Sequence, residues 1–362
     1  EEFSGGLGAT VYKVSGKWDV FGPFSIRGAY GTNYQAPPAG LVPGEVNNGV
    51  NSFTKAGGDW RGAQTVTRDG IVPETATAWN VGVIFQSQGF ASDHDLRIIV
   101  DYFDIETEDE LGLLATANDI ANLVFPGPAD NNTSLADCSH PLIGRVTFND
   151  TPTSPGGQCV QGQTTAANFS SIRTEFGNGP GQLVAGFDIQ VDYTMPFGPG
   201  EASIGATATN MTEFSFTPKT LDGFQLDNGD DRLGFLNFAT IAGAAPEWRA
   251  NGYLAYRLDQ HNFRLQTTYV SAVDDERGPV TPGGILGVNQ FGPTTYGVIG
   301  KDWFVFDFHY NFDLTDTLRL SASVANIFDK GPPPAREEFG FDPLAGGNAL
   351  GRTFEVGIKK TF

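Results

Sequence analysis

Apolar side chains recur at every second residue of this chain, over stretches long for a strand. Near the C-terminus Phe354, Val356, Ile358 and Phe362 fall on one side, and Thr353, Glu355, Lys359 and Thr361 on the other. Lys360 is the polar exception, close enough to the end for its amine to snorkel free. Upstream, Leu318, Leu320, Ala322 and Val324 oppose Arg319, Ser321 and Ser323, and Phe304, Phe306, Phe308, Tyr310 and Phe312 oppose Asp307, His309 and Asn311. Phe263, Leu265, Thr267 and Tyr269 oppose Arg264, Gln266 and Thr268 in the same way, as Phe187, Ile189, Val191 and Tyr193 oppose Asp188, Gln190 and Asp192. Leu96, Ile98, Val100 and Tyr102 face away from Arg97 and Asp101, although Ile99 and Phe103 blur the polar side. A period of two marks a strand with one greasy and one wet face, and helical spacing fits these segments less well. Eleven strands are expected, near 7–15, 23–33, 77–87, 94–107, 183–195, 200–214, 246–258, 261–274, 302–312, 316–327 and 351–362.

Two-faced strands make either a sandwich or a barrel, and two features separate these. Most of the stretches reach about ten residues, the length a tilted strand needs to cross a bilayer core, whereas ordinary strands average about five or six. The connections also alternate. Short turns fall at 16–22, 88–93, 196–199, 259–260 and 313–315, and long polar loops at 34–76, 108–182, 215–245, 275–301 and 328–350. A membrane barrel has tight turns at one rim and long loops at the other, a rhythm that a Greek-key sandwich has no reason to show. Abundant Gly (47) and Phe (29) with scarce Met (2) suit strands and turns better than helices. No apolar run approaches the roughly 20 residues of a membrane helix, and the first residues carry no secretion-signal pattern. Barrel strands escape hydropathy averaging, because polar residues alternate through them. The expected fold is all-β: a transmembrane antiparallel up-and-down barrel. If the last strand ends at the periplasm, the long loops lie outside the cell.

Charge excludes one class of partner. Asp and Glu (42) outnumber Lys and Arg (22), for a formal net charge of -20. Nucleic-acid binding depends on cations that neutralise phosphates, so no nucleic-acid partner is expected.

The stretch Asn326-Ile327-Phe328-Asp329-Lys330-Gly331-Pro332-Pro333 resembles the Asn-Leu-Phe-Asp-Lys-x-Pro-Pro signature near the end of TonB-dependent receptors. Gly351-Arg352-Thr353-Phe354 with a terminal Phe362 is similar to their last strand. Ile26-Arg27-Gly28-Ala29-Tyr30 running to Gln35-Ala36-Pro37 resembles their Arg-Gly-Ser-Tyr…Phe-Arg-Ala-Pro run, with Gln35 where Arg is usual. Val72-Pro73-Glu74-Thr75 before Trp79-Asn80-Val81-Gly82 resembles their Pro-Glu…Glu-Leu-Gly element, with Asn80 as a departure. Phe187-Asp188 and Pro246-Glu247-Trp248-Arg249 look like family strand entries. The resemblance implies a barrel of about twenty-two strands around a plug. Residues 1–362 would then form its C-terminal part, with the N-terminal half and the plug outside this sequence. It further implies an outer-membrane receptor importing a scarce nutrient, of siderophore-iron or oligosaccharide class. The TonB–ExbB–ExbD system would drive it through the plug. A passive porin-like channel is the alternative.

Other side chains suggest little chemistry. Cys138 and Cys159 lie in the longest loop and are expected to pair. The histidines His94, His140, His261 and His309 lack metal-ligand spacing, and the acidic clusters Asp227 to Asp231 and Asp274 to Glu276 lack the EF-hand register. No metal site, no cofactor and no enzyme activity are expected, because neither a nucleophile elbow nor a phosphate loop is present. Trp18, Phe21 and Phe24 at one end of the strands, and Tyr30, Trp248, Trp303 and Phe304 at the other, are expected as interface girdles. Ligand stacking falls to the loop aromatics Tyr34, Trp60, Phe291 and Tyr296.

Overall fold

The computed structural model describes residues 10–38, 40–88, 93–127, 132–237, 243–276, 298–336 and 340–361. The chain opens with β1 (Lys13–Phe21) and β2 (Phe24–Gln35), followed by a hairpin of β3 (Val46–Ser52) and β4 (Trp60–Thr67). Next come β5 (Glu74–Ser87), β6 (Asp95–Glu108), β7 (Leu111–Leu113), the helix α1 (Ala117–Val124), β8 (Val146–Phe148) and β9 (Phe169–Asn178). β10 (Gln182–Phe197) and β11 (Gly200–Phe216) precede a small hairpin of β12 (Lys219–Leu221) and β13 (Phe224–Asp227). The chain ends with β14 (Trp248–Leu258), β15 (His261–Val270), β16 (Trp303–Thr315), β17 (Leu318–Ala325) and β18 (Thr353–Lys360).

Eleven of these make one sheet in the order β1-β2-β5-β6-β10-β11-β14-β15-β16-β17-β18, each antiparallel to its neighbour. Each neighbour is also the next strand of this sheet in sequence, which is up-and-down topology. The expected strands are all present, and one is displaced. The first was expected at 7–15 with a turn at 16–22, but β1 runs over Lys13–Phe21 and turns at Gly22-Pro23. Gly16 reads as a turn residue, whereas it holds the strand position between Val14 and Trp18 and faces Gly28.

Register assigns the two faces. Arg27 pairs Gly82, Gly82 pairs Asp101, Asp101 pairs Asp188, Asp188 pairs Thr209 and Thr209 pairs Arg249, so all share one face. The opposite face carries Ile26, Val81, Val83, Val100, Phe187, Leu254, Phe304 and Val356, all exposed. Val81 is 47%, Leu254 51% and Val356 83% exposed, so no protein layer covers this band among the described residues. A continuous apolar surface of this extent is unstable in water and suited to hydrocarbon. Aromatic contacts gather toward the short turns, in Phe21–Phe24–Phe85 and His261–Phe263–Tyr310. Others lie toward the long connections, in Trp79–Tyr102–Phe187 and Tyr269–Phe304–Phe306. Trp303 departs from the expected girdle. It pairs Val270 on the polar-face register and is buried beside Val305.

The long connections hold the second finding. Segments 34–76 and 108–182, read from sequence as polar loops, fold into a domain with its own core. β3, β4, β9 and β7 form a sheet in that order, with β8 on β9 and β4 running parallel to β9. Phe53, Leu114, Ile120, Val124, Phe125, Leu142, Phe169 and Ile172 are buried beneath it. The helix α1 starts at a capping box: Thr116 accepts from the Asp119 N–H, and Asp119 accepts from the Thr116 N–H.

Candidate functional site

The polar face carries a charged row built around a missing side chain. Arg27 on β2 and Asp101 on β6 are separated by β5, yet Arg27 Nε donates to Asp101 Oδ1 at 2.7 Å and its Nη2 bonds Oδ2. The strand between them presents Gly82, where a Cβ would overlap the Asp101 carboxylate. Glycine thus opens the lane through which a guanidinium reaches across a strand in bidentate geometry. Beside this pair, Thr209 donates to Asp188 at 2.6 Å. Arg27, Asp101, Asp188, Gln190, Thr209 and Arg249 are among the residues that line a shallow concavity of about 340 Å³. A second concavity of about 520 Å³, lined in part by Lys17, Ser25, Gln86 and Arg97, lies toward the short turns. Both are polar, as the wall of a water-filled or protein-filled lumen must be.

The stretch after β17 is a clasp. Asn326 (φ 50°) and Asp329 (φ 55°) sit in the left-handed region, which Asn and Asp tolerate better than other side chains. The Asn326 amide donates to the Lys330 carbonyl and accepts from the Lys330 N–H, both at 2.9 Å, while its own N–H donates to Asp307 at 2.6 Å. Asp329 then accepts from the Arg352 N–H at 2.8 Å, and the Arg352 guanidinium donates to the Ile327 carbonyl at 3.1 Å. These bonds fasten the connection between β17 and β18 down onto its own strands. The residues of the terminal signature therefore position the barrel's last hairpin.

The loop-borne domain reaches the next connection too. The β12–β13 hairpin turns at Asp222 (φ 53°) and Gly223 (φ 76°), the two-residue turn that an Asp-Gly pair favours. Its tip is inserted into the domain: Leu221 is buried in the core, and Phe224 packs edge-on against His140 at 4.7 Å. Buried Arg145 donates to Asp222 at 2.7 and 2.8 Å and to Glu175 at 2.9 Å, and Glu175 also takes Arg68 at 2.7 Å. The bonds from Arg145 hold the Asp222 carboxyl below its ordinary value. Cys138 and Cys159 are joined in a disulfide within this domain, as expected.

Of the expected ligand contacts among the described residues, Trp60 and Tyr34 lie on different sheets. Trp60 begins β4 and is 71% exposed on the loop-borne sheet. Tyr34 lies on β2 opposite Thr75, on the same face as Ile26 and Tyr30. Phe291 and Tyr296 lie outside the described residues. His94 and His261 bond Tyr193 and Tyr310 beside turns. Asp227 pairs with Arg232 at 2.9 Å, and Asp275 with buried Arg336 at 2.7 Å, so carboxylates from both acidic clusters are committed to guanidinium partners. The loop-borne domain does carry local sequence signals. Thr116…Asp119 followed by Ile120, Ala121 and Val124 is a legible helix start, and Leu221-Asp222-Gly223-Phe224 a legible hairpin.

Residues 2–327 match the family described as TonB dependent receptor-like, beta-barrel. The chain belongs to that family. No curated protein matches it in sequence. Among solved structures it is similar to a mutant of the ferric enterobactin receptor PfeA of Pseudomonas aeruginosa, with TM-score 0.56 and 14% identity over 97% of this chain and 40% of that one. The siderophore receptor PirA of Acinetobacter baumannii gives 0.56 and 14% over 97% and 41%. The FrpB iron transporter of Neisseria meningitidis gives 0.50 and 15% over 97% and 39%. At such identities the likeness is one of fold, and the chain spans about two fifths of those structures' length. TonB-dependent receptor barrels are outer-membrane transporters rather than enzymes. In such a barrel the Arg27–Asp101 row faces the lumen and the Val81–Leu254 band faces lipid.

Proposed function

We propose that this TonB-dependent receptor barrel imports a scarce nutrient across the outer membrane, an iron–siderophore complex first and an oligosaccharide second. Family membership over residues 2–327 carries the reading. The fold likeness to receptors whose names specify siderophores favours the iron chelate. In this reading further strands pair with the open edges of β1 and β18, because bare edges cannot sit in lipid. A plug domain occupies the polar lumen and couples it to the TonB–ExbB–ExbD system. The loop-borne domain stands outside the cell, where Trp60 offers an exposed indole to the ligand, with Tyr34, Phe291 and Tyr296 as further candidate contacts.

Uptake of radiolabelled iron as a panel of siderophore complexes, in cells with and without the receptor, tests this. Uptake should need the receptor, stop when the proton gradient is uncoupled, and fall in Trp60→Ala. A porin-like channel is the competing reading, since the strand pattern alone would serve it. Open conductance in planar bilayers, together with uptake that survives uncoupling, would decide for the channel.

A further inference from the structure

The hairpin of β3 and β4 leaves one strand of the loop-borne sheet without a neighbour. β3 heads the order β3-β4-β9-β7, and no strand lies beyond it among the described residues. Exposed sheet edges are usually blunted by charge, proline, a bulge or brevity. From Val46 to Asn51 the β3 edge has none of these, and at its end the Ser52 carbonyl accepts from the Asn118 amide of α1 at 3.0 Å. Val46-Asn47-Asn48-Gly49-Val50-Asn51-Ser52 is uncharged, free of proline, and paired to β4 in continuous register over 7 residues. The Phe53 N–H donates to the Asp59 carbonyl and the Thr67 N–H to the Glu45 carbonyl, so odd-numbered residues bond inward. By antiparallel alternation the N–H and C=O groups of Asn48 and Val50 point to the open edge. Side chains complete the surface. Val46, Val50 and Trp60 share one face of the hairpin and are 45%, 67% and 71% exposed. An exposed carboxylate lies near each end of the hairpin: Glu45 immediately before β3, and Asp59, 3.4 Å from the Arg61 guanidinium, immediately before β4.

We infer that the β3 edge accepts an extended strand of a polypeptide partner by β-augmentation. The partner has apolar side chains at alternate positions and basic residues at its flanks. Its backbone continues the sheet through Asn48 and Val50, its apolar side chains lie over Val50 and Trp60, and its flanks meet Glu45 and Asp59. This surface shares Trp60 with the ligand contact proposed above, and Asn48→Pro, which leaves Trp60 in place, distinguishes the two.

The test uses the whole receptor in detergent micelles and a fluorescent peptide of alternating valine and threonine with lysine at each end, read by anisotropy. The wild type should bind it, and the same peptide N-methylated at alternate amides on its bonding edge should bind at least tenfold more weakly. Asn48→Pro removes an outward donor while leaving every backbone bond to β4 in place, losing only the side-chain bond from Gln64 to the Asn48 amide oxygen, and should also weaken binding at least tenfold. Trp60→Ala leaves the edge intact and should weaken it severalfold. An unchanged melting profile certifies that both variants are folded. Absence of binding to the wild type, or binding indifferent to both N-methylation and Asn48→Pro, overturns the proposal. A receptor dimer that Asn48→Pro dissociates would assign the edge to a second copy instead, and binding of neutral sugars but not the peptide would assign the face to carbohydrate; either result also overturns it.

Discussion

Position 82 shows how much a single hydrogen can decide. With no side chain there, Arg27 reaches Asp101 over the intervening strand. Gly82→Ala should displace the Asp101 carboxylate and cost about 1–2 kcal/mol, the worth of a charge-assisted bond on a partly wet surface. In an Asp101→Ala background the same change should cost little, and a double-mutant cycle on the temperature at which the barrel loses its compact mobility in SDS gels reads the difference. Asp222 makes a second residue-scale prediction. Its folded pKa lies below its ordinary 3.8, so its stabilising bond to Arg145 is fully present above that value and is lost as pH falls through the lowered one. Protection from hydrogen exchange over residues 219–227, relative to the intrinsic rate at each pH, should therefore fall in acid, below about pH 4. Asp222→Asn should speed exchange at neutral pH and flatten the acid response.

Elements divide by how plainly their residues announce them. In ten of the long strands the expected and observed ranges overlap closely, because alternation with a period of two leaves one face to lipid and one to water. β1 was displaced because Gly16 stands in phase with Val14 and Trp18 and interrupts the apolar row. Apart from α1 and the Asp222-Gly223 hairpin, the loop-borne elements were less legible for a different reason. β7 and β8 are 3 residues each, and their apolar side chains find partners from distant connections rather than from a periodic face. α1 is short, and its capping box was the one local signal. The site was less legible than the fold. Sequence placed Trp60 correctly in a long connection, but could not show that Tyr34 shares a face with Ile26 or that Gly82 opens a lane for Arg27. The terminal clasp carries its own prediction. Asn326→Ala removes both bonds to Lys330 and a side chain suited to φ 50°, and should cost about 2–3 kcal/mol. Proteolysis should then begin between β17 and β18, which limited digestion followed by mass spectrometry would locate.

At the scale of the molecule, two kinds of burial coexist. The large sheet leaves its apolar side chains exposed for lipid, and the loop-borne domain buries Phe53, Phe125, Phe169 and Ile172 as a water-soluble protein would. Indole fluorescence can separate the two environments. Trp18, Trp79 and Trp248 lie on the apolar face, Trp303 is buried on the polar-face register, and Trp60 stands on the loop domain. Brominated lipids should quench the first three and spare Trp60 and Trp303, as single-tryptophan variants in vesicles would report. Equal quenching of Trp60 would contradict the placement of the loop domain outside the bilayer. The parallel pairing of β4 with β9 also has a bearing on ancestry and engineering. Because segments from either side of β5 and β6 share one sheet, and Arg61 bonds the carbonyls of Ala166 and Phe169 across it, neither can be exchanged between relatives alone. The two must be inherited as a single cassette, and a chimera that grafts residues 36–73 without 109–181 should fail to reach the cell surface intact.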